Sequence, residues 1–286
     1  MMHSHKEYFL NVKKIFKSLN YSSSDAENIF MHVLNISLED LILNDLFITE
    51  DQKNDIASLV QRRIHGEPVA YLTGKKAFHE YEFKVTSDTL IPRNETEILV
   101  NAVIQEIKKQ NKKHIKVLDL CTGSGCIILS ILKTLQREGY DISGVGVDIS
   151  EKAIEIAKEN AKQLQIDAVN FICCDIKDFH WNSHFDVIVS NPPYVPSNDI
   201  QNLEISVKNY EPHNALDGGS DGLKFYRDIL KIINTQELQE FFLAFEVGIG
   251  QYREILQMLQ NYDTTTFDDF LQIERVIIAK KAKILI

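Results

Sequence analysis

The sequence predicts an α/β fold: a mostly parallel sheet with helices on both faces, plus a small all-α amino-terminal domain joined to it by a β-hairpin linker. Two observations carry this. From about residue 93, short β-branched runs alternate with amphipathic stretches of helical length, the pattern of a sheet built through crossover connections. Before residue 78, apolar residues recur only at helical spacing, behind three Ser/Thr helix starts. At 286 residues the chain is long enough for one large α/β domain and a small one.

The elements follow in order. Ser24 with Glu27, Ser37 with Asp40, and Thr49 with Gln52 each read as a capping box that opens a helix. The helical domain, residues 1–77, closes after His65-Gly66-Glu67-Pro68. Residues 78–92, FHEYEFKVTSDTLIP, are rich in aromatic and β-branched residues and read as a hairpin or linker ending at Pro92. Residues 93–286 form the third region. Strands are predicted over 115–121, 142–148, 169–175, 185–191, 241–248 and 275–286, with helices over 126–139 and 150–165. Ligands of such folds bind beyond the carboxyl ends of the parallel strands.

Composition narrows the function. A formal net charge of −10 argues against gripping duplex nucleic acid, which needs a basic surface. No apolar run approaches a membrane span, and the start MMHSHKEYFLNVKK lacks the apolar stretch of a secretory signal, so the expected location is the cytoplasm. The four cysteines form no C-x-x-C pair and read as small buried residues of a reducing compartment. His3 and His5 fall in what reads as a frayed terminus, and His180 and His184 in a solvated loop around Trp181, so no metal site is expected.

The strand ends carry the chemistry. The first strand of the sheet runs into DLCTGSGC, residues 119–126, a Gly-containing turn that lets backbone and a helix start approach a ligand. A dinucleotide fingerprint wants a third glycine where Ile128 stands, which disfavours a pyrophosphate; an adenosyl ligand without phosphates does not need it. Asp148 ends the second strand, where a carboxylate accepts from ribose hydroxyls, and Ser150 is available to cap the next helix in its place. Asp175 ends the third, placed to accept from an adenine amino group, although a helix-capping role suits it too. The fourth strand ends in Asn191-Pro192-Pro193-Tyr194. The prolines have no N–H and offer only carbonyls. Taken alone, those four residues are also a rigid turn that ends a strand.

DLCTGSG, GVDIS, CCDIKD and SNPPY, in that order, resemble the Rossmann-like class I methyltransferases that use S-adenosyl-L-methionine; Asn-Pro-Pro-Tyr resembles the subset that methylates a planar, conjugated nitrogen. Such a nitrogen is a poor nucleophile, because its lone pair is delocalised as in a peptide bond. It carries two N–H donors, and the Asn191 side-chain oxygen and the Pro192 carbonyl are the acceptors that suit them, with Pro193 and Tyr194 placed to sandwich the planar group.

RRIHGEPVAYLTGKKAFHEYEF (62–83), LIPRNETEILV (90–100), YEPHNALDGGSDGL (210–223) and FEVGIGQ (245–251) are similar to segments of the bacterial glutamine methyltransferases of peptide chain release factors. The resemblance implies S-adenosyl-L-methionine as cofactor, held by Cys121, Thr122, Gly123, Ser124, Gly125, Asp148, Asp175, Ile176 and Asn191. It implies that Asn191 to Tyr194 hold the glutamine of a Gly-Gly-Gln tripeptide, with Asn191 and Pro192 as the catalytic pair, and that residues 1–77 dock the release factor. No direct nucleic-acid substrate and no membrane partner are expected. A glutamine of a ribosomal protein and an adenine amino group in nucleic acid are the alternative acceptors. Three positions depart from the family pattern: Cys121 and Leu271 where glycine is usual, and Asn94 where proline is usual.

Overall fold

The computed structural model describes residues 3–110, 112–181, 184–236 and 240–281. The chain divides into two compact units, one of Met1–Lys75 with Glu204–Tyr210, the other of Lys76–Leu203 with Glu211–Ile286. The first unit therefore takes in seven residues from far along the chain, a membership that the helical pattern before residue 78 does not reveal.

The first unit begins with β1 (His3–Ser4), α1 (His5–Ser18), α2 (Ser23–Leu34), α3 (Leu38–Leu43), β2 (Phe47–Ile48), α4 (Glu50–Ile64) and α5 (Val69–Thr73). Capping boxes form at Ser37/Asp40 and Thr49/Gln52. At α2 the cap lies two residues earlier than expected: Ser22, in extended backbone, accepts from the Ser24 N–H at 3.2 Å, and Glu27 pairs with Lys13 at 2.9 Å instead. Three consecutive serines offer three equivalent caps, and only the position of the chain reversal chooses among them. His5 is not in a frayed end. It is fully buried, its Nδ1 accepting from the Leu46 N–H and its Nε2 donating to the Leu41 carbonyl, both at 3.0 Å. Both ring nitrogens are thus consumed by the core. That core gathers Phe9, Phe16, Ile29, Phe30 and Ile56.

The remaining elements are β3 (Lys75–Phe78), β4 (Tyr81–Lys84), α6 (Thr96–Lys109), β5 (His114–Leu120), α7 (Cys126–Arg137), β6 (Asp141–Asp148), α8 (Glu151–Gln163), β7 (Val169–Cys173), β8 (Val187–Ser190), α9 (Ile205–Lys208, within the first unit), α10 (Lys224–Thr235), β9 (Phe242–Glu246), α11 (Tyr252–Met258), β10 (Tyr262–Asp268) and β11 (Glu274–Lys281). β3 and β4 pair as the hairpin, three residues earlier than its expected start, and bury Phe78 and Phe83. Seven strands form one sheet in the order β10-β11-β9-β8-β5-β6-β7. β9, β8, β5, β6 and β7 run parallel; β11 is antiparallel to β9, and β10 to β11.

Both faces of this sheet are covered, so its central strands are near-continuous apolar runs. Along β5, Ile115 and Val117 face one core and Leu118 and Leu120 the other; along β9, Phe242 and Ala244 alternate with Leu243 and Phe245 in the same way. β5 lies between β6 and β8, so crossovers leave it in opposite directions. A crevice opens at the carboxyl ends there. No helix of the described residues is long and apolar enough to cross a membrane.

Candidate active site

The strand ends of β5, β6, β7 and β8 surround a cavity of about 330 Å³. Cys121, Gly123, Asp148, Asp175, Ile176, Asn191 and Pro193 line it. Thr122, Ser124, Gly125, Pro192 and Tyr194 do not. The Thr122 hydroxyl turns inward to donate to Asp119 Oδ2 at 2.6 Å, and the Ser124 carbonyl accepts from Asn160 Nδ2 at 2.9 Å. These residues shape the loop from behind. The wall also takes residues that motif reading passed over, among them Asp88, Ile149, Asp217, Lys224, Phe225 and Asp228. Of these only Ile149 adjoins a strand end, directly after Asp148; the others come from loops and from α10, where no motif marks them. The lining holds five aspartates against two lysines, and Lys177 pairs with Asp228 at 2.9 Å, which favours a cationic occupant.

The loop after β5 is built for close approach. The Thr122 N–H donates to the Val147 carbonyl, tying the loop to β6, and Gly125 starts α7 at φ +78. A Cβ on Gly125 would meet Leu129, Ala157 and Phe171 at 3.1–3.3 Å, so the helix packs this tightly only on glycine. Cys121 sits at φ +62, in the left-handed region where glycine is usual. Its side chain is half-buried between the cavity and the core of that face, and desolvation pushes its thiol pKa up.

Asp148 accepts from the Gly123 N–H through Oδ2 and from the Ser150 N–H through Oδ1, both at 2.9 Å, and each oxygen keeps a lone pair for another donor. Burial raises its pKa, and these backbone donors oppose the rise. Ser150 caps α8, accepting from the Ala153 N–H at 3.2 Å, which leaves Asp148 out of the capping. Asp175 lines the cavity while its Oδ1 accepts from the Lys177 N–H at 2.9 Å, so part of this carboxylate closes a turn.

Asn191 follows directly on β8. Its Nδ2 donates to Thr96 Oγ1 at 3.3 Å, at the first turn of α6. With the amide nitrogen engaged there, the side-chain oxygen is the end left to face the cavity. Glu246, the last residue of β9, lies beyond Thr96 with its Oε2 buried and unpartnered. Burial pushes its carboxyl up to about 7, against the Thr96 hydroxyl, which favours the carboxylate. The prolines and tyrosine are clamped from behind. Gln251 donates from Nε2 to the Tyr194 carbonyl at 2.8 Å and accepts at Oε1 from the Gly248 N–H at 3.2 Å. Val195 pairs with the segment after Leu216, and Gly222, at φ +74, brings its backbone so close that a Cβ would lie 2.3 Å from the Tyr194 carbonyl oxygen. The Tyr194 ring packs against the core formed with Leu243 and Phe245, away from the cavity wall, so Pro193 alone of the two contributes to it.

Residues 111–238 match the description "Methyltransferase domain", and residues 11–74 match "PrmC N-terminal domain". The chain is 36% identical to a release factor glutamine methyltransferase of Thermodesulfovibrio yellowstonii, over 96% of this chain and 98% of that one. A release factor glutamine methyltransferase of Bacillus cereus is 34% identical over 86% and 90% of the two chains. The chain belongs to the release factor glutamine methyltransferase family. It is a methyltransferase that uses S-adenosyl-L-methionine. The cavity fits this family's cofactor in its acidic lining, its free Asp148 lone pairs and the apolar Ile149, Ile176 and Phe225. The hMettl16 catalytic domain in complex with MAT2A 3'UTR hairpin 6 has a TM-score of 0.56 at 14% identity, over 85% of this chain and 87% of that one, a likeness of fold alone.

Proposed function

We propose that this enzyme methylates the side-chain amide nitrogen of the glutamine in the Gly-Gly-Gln tripeptide of peptide chain release factors, in support of translation termination. The observation that carries the reading is the polarity of Asn191. Its amide nitrogen is spent on Thr96, and its oxygen is left beside the cavity at the end of β8.

S-adenosyl-L-methionine, when bound, supplies an electrophilic methyl carbon. Asp148 holds the ribose hydroxyls, Ile176 lies against the adenine, Asp175 accepts from its amino group, and the loop from Cys121 to Gly125 gives its backbone to the rest of the ligand. Asn191 Oδ1 and the Pro192 carbonyl accept the two N–H bonds of the acceptor amide, and Pro193 supports its plane. Two fixed acceptors orient the nitrogen lone pair and favour the pyramidal geometry it takes as its bond to carbon forms. Neither oxygen needs to be basic, because the nitrogen becomes acidic on gaining the methyl group; they hold its proton until water takes it.

The helical unit docks the substrate protein. Its exposed Leu10, Ile42, Leu43 and Phe47 are the kind of apolar surface a protein partner covers. The site of translation places the enzyme in the cytoplasm. Methyl transfer from labelled S-adenosyl-L-methionine is the test, run side by side with release factor, release factor carrying Gly-Gly-Ala, ribosomal proteins and DNA. Label is expected on the first alone. Label retained on the Gly-Gly-Ala protein, or found on DNA adenine, overturns the reading.

A further inference from the structure

Two stretches of the cavity wall belong neither to the strand ends nor to the α-helices. Asp88, Thr89 and Leu90 come from the loop before α6, and Pro212, Asn214 and Ala215 from the stretch just before Leu216. The second stretch is tied to the acceptor turn. Val195, next after Tyr194, donates its N–H to the Leu216 carbonyl at 2.9 Å, and its own carbonyl accepts from the Gly218 N–H at 2.8 Å. The first stretch is closed mainly on itself. The Thr89 N–H donates to the Thr86 carbonyl at 3.0 Å, and Asp88 pairs with Lys152 at 3.1 Å on the surface, where an ion pair holds little.

Glu211 joins the two. It directly precedes Pro212, and its side chain reaches the chain just beyond Leu90: Oε2 accepts from the Ile91 N–H at 3.1 Å, and Oε1 accepts from Arg93 Nη2. Glu211 and Ile91 are both buried, so water does not replace the bond between them. We propose that Glu211 is a positioning residue that fixes residues 88–90 relative to residues 212–215 and so keeps the cavity in its cofactor-binding shape. The inference concerns the cofactor and holds whichever amide the enzyme methylates.

The chemistry of the residue suits the task. A carboxylate has two acceptor oxygens, and here each takes one donor, a backbone N–H and a guanidinium. An amide at the same place has one oxygen, and whichever donor it serves, its NH2 group faces the other. An alkyl side chain serves neither. A buried ion pair adds little net stability over apolar side chains of the same size, so stability alone does not require this one. What it fixes is a position. Pro92 lies between the two anchored residues with its φ set by the ring, so Ile91-Pro92-Arg93 is a stiff handle directly after the wall it holds.

A wall that is in place only part of the time lowers the apparent affinity for a ligand by that fraction. Saturating ligand draws the wall back, because it binds the formed pocket better than the open one. Loss of the clamp therefore shows in cofactor affinity and disappears from kcat at saturating cofactor. A plain loss of stability shows in unfolding and leaves the affinity of the folded protein unchanged.

The experiment measures S-adenosyl-L-methionine affinity by calorimetry without acceptor, and kcat at saturating cofactor, for the full-length parent, Glu211→Gln, Glu211→Ala and Arg93→Lys, beside urea unfolding of each. Glu211→Gln is expected to bind the cofactor roughly 10-fold more weakly, the wall then being in place about a tenth of the time, with kcat at saturation retained. Glu211→Ala weakens binding further, and Arg93→Lys, which keeps a charged donor, stays close to the parent. Should the alanine variant fail to fold, amide exchange decides between the parent and Glu211→Gln: bound S-adenosyl-L-homocysteine slows exchange over residues 86–93, and without ligand the exchange there is faster in Glu211→Gln. An affinity within about twofold of the parent in folded Glu211→Gln, a loss of kcat at saturation as large as the loss of affinity, or exchange over residues 86–93 that ignores the ligand overturns the proposal. The affinity and exchange measurements use no acceptor, so a release factor that takes no label removes the acceptor reading and leaves this one standing.

Discussion

Replacing Glu246 by glutamine is expected to stabilise the protein at alkaline pH and to do so less and less as the medium is acidified. Burial raises this carboxyl from its ordinary 4.5 to about 7. The folded protein then holds the proton more tightly than the unfolded chain. Between pH 4.5 and 7 the folded state binds more protons, so stability falls as pH rises through that window and stays low above it. A shift of this size corresponds to about 3 kcal/mol at 1.36 kcal/mol per unit. Glutamine carries no such term. Urea unfolding of the parent and the variant at pH 5 and pH 8 should show the stability difference growing by about 2–3 kcal/mol toward the alkaline side. Asp119, buried beneath the loop after β5 and also raised to about 7 by burial, titrates in both proteins and cancels in the difference. A difference that is the same at both pH values, or that grows toward acid, refutes the account of Glu246 as a buried carboxylate lacking its own cation.

Three further outcomes follow. Asn191→Ala is expected to lower kcat by roughly 10²- to 10³-fold, the range for removing one preorganised polar group at a reacting centre, with cofactor affinity by calorimetry largely retained; loss of both together would make Asn191 a folding or cofactor residue. Arg93→Ala strips the cation from Glu211, which is 3% exposed and also accepts from the Ile91 N–H, and should cost about 3–5 kcal/mol in urea unfolding; an effect below about 1 kcal/mol, the range of a surface pair, would refute that. Cys121→Val places a branched side chain at φ +62 and should destabilise by roughly 2 kcal/mol, whereas Cys121→Gly removes the strain. Equal melting temperatures for these two would show that the loop does not hold position 121 in the left-handed region.

The parallel part of the sheet was legible because strands buried on both faces are written as unbroken apolar runs: the expected strands at 115–121 and 185–191 are β5 and β8 to within two residues. β10 escaped notice for the complementary reason. Its sequence, YDTTTFD, sits at the sheet edge with most side chains in water, so no alternation marks it. α6 does carry a helical pattern, with Leu99, Val100, Val103, Ile104 and Ile107 on its buried face, but Arg93-Asn94-Glu95 before it makes no side-chain cap and so gives no start signal. Strand-end chemistry could be read at Asp148, because Ser150 offered an alternative cap and the structure uses it. The partner of Asn191 could not. Thr96, which accepts from its amide nitrogen, lies 95 positions before it and stands in no pattern that names the contact.

The end of β9 carries a group that works against stability. Glutamine would fill the same space with no titratable proton, yet position 246 is a carboxyl where water is excluded, which is where ionising it is most costly. Its outer oxygen has no hydrogen-bond partner, and the cations nearest to it are engaged elsewhere, Arg275 with Asp269 and Arg93 with Glu211. The burial that costs about 3 kcal/mol of stability at pH 8 is therefore offset by no counter-ion of the carboxylate's own.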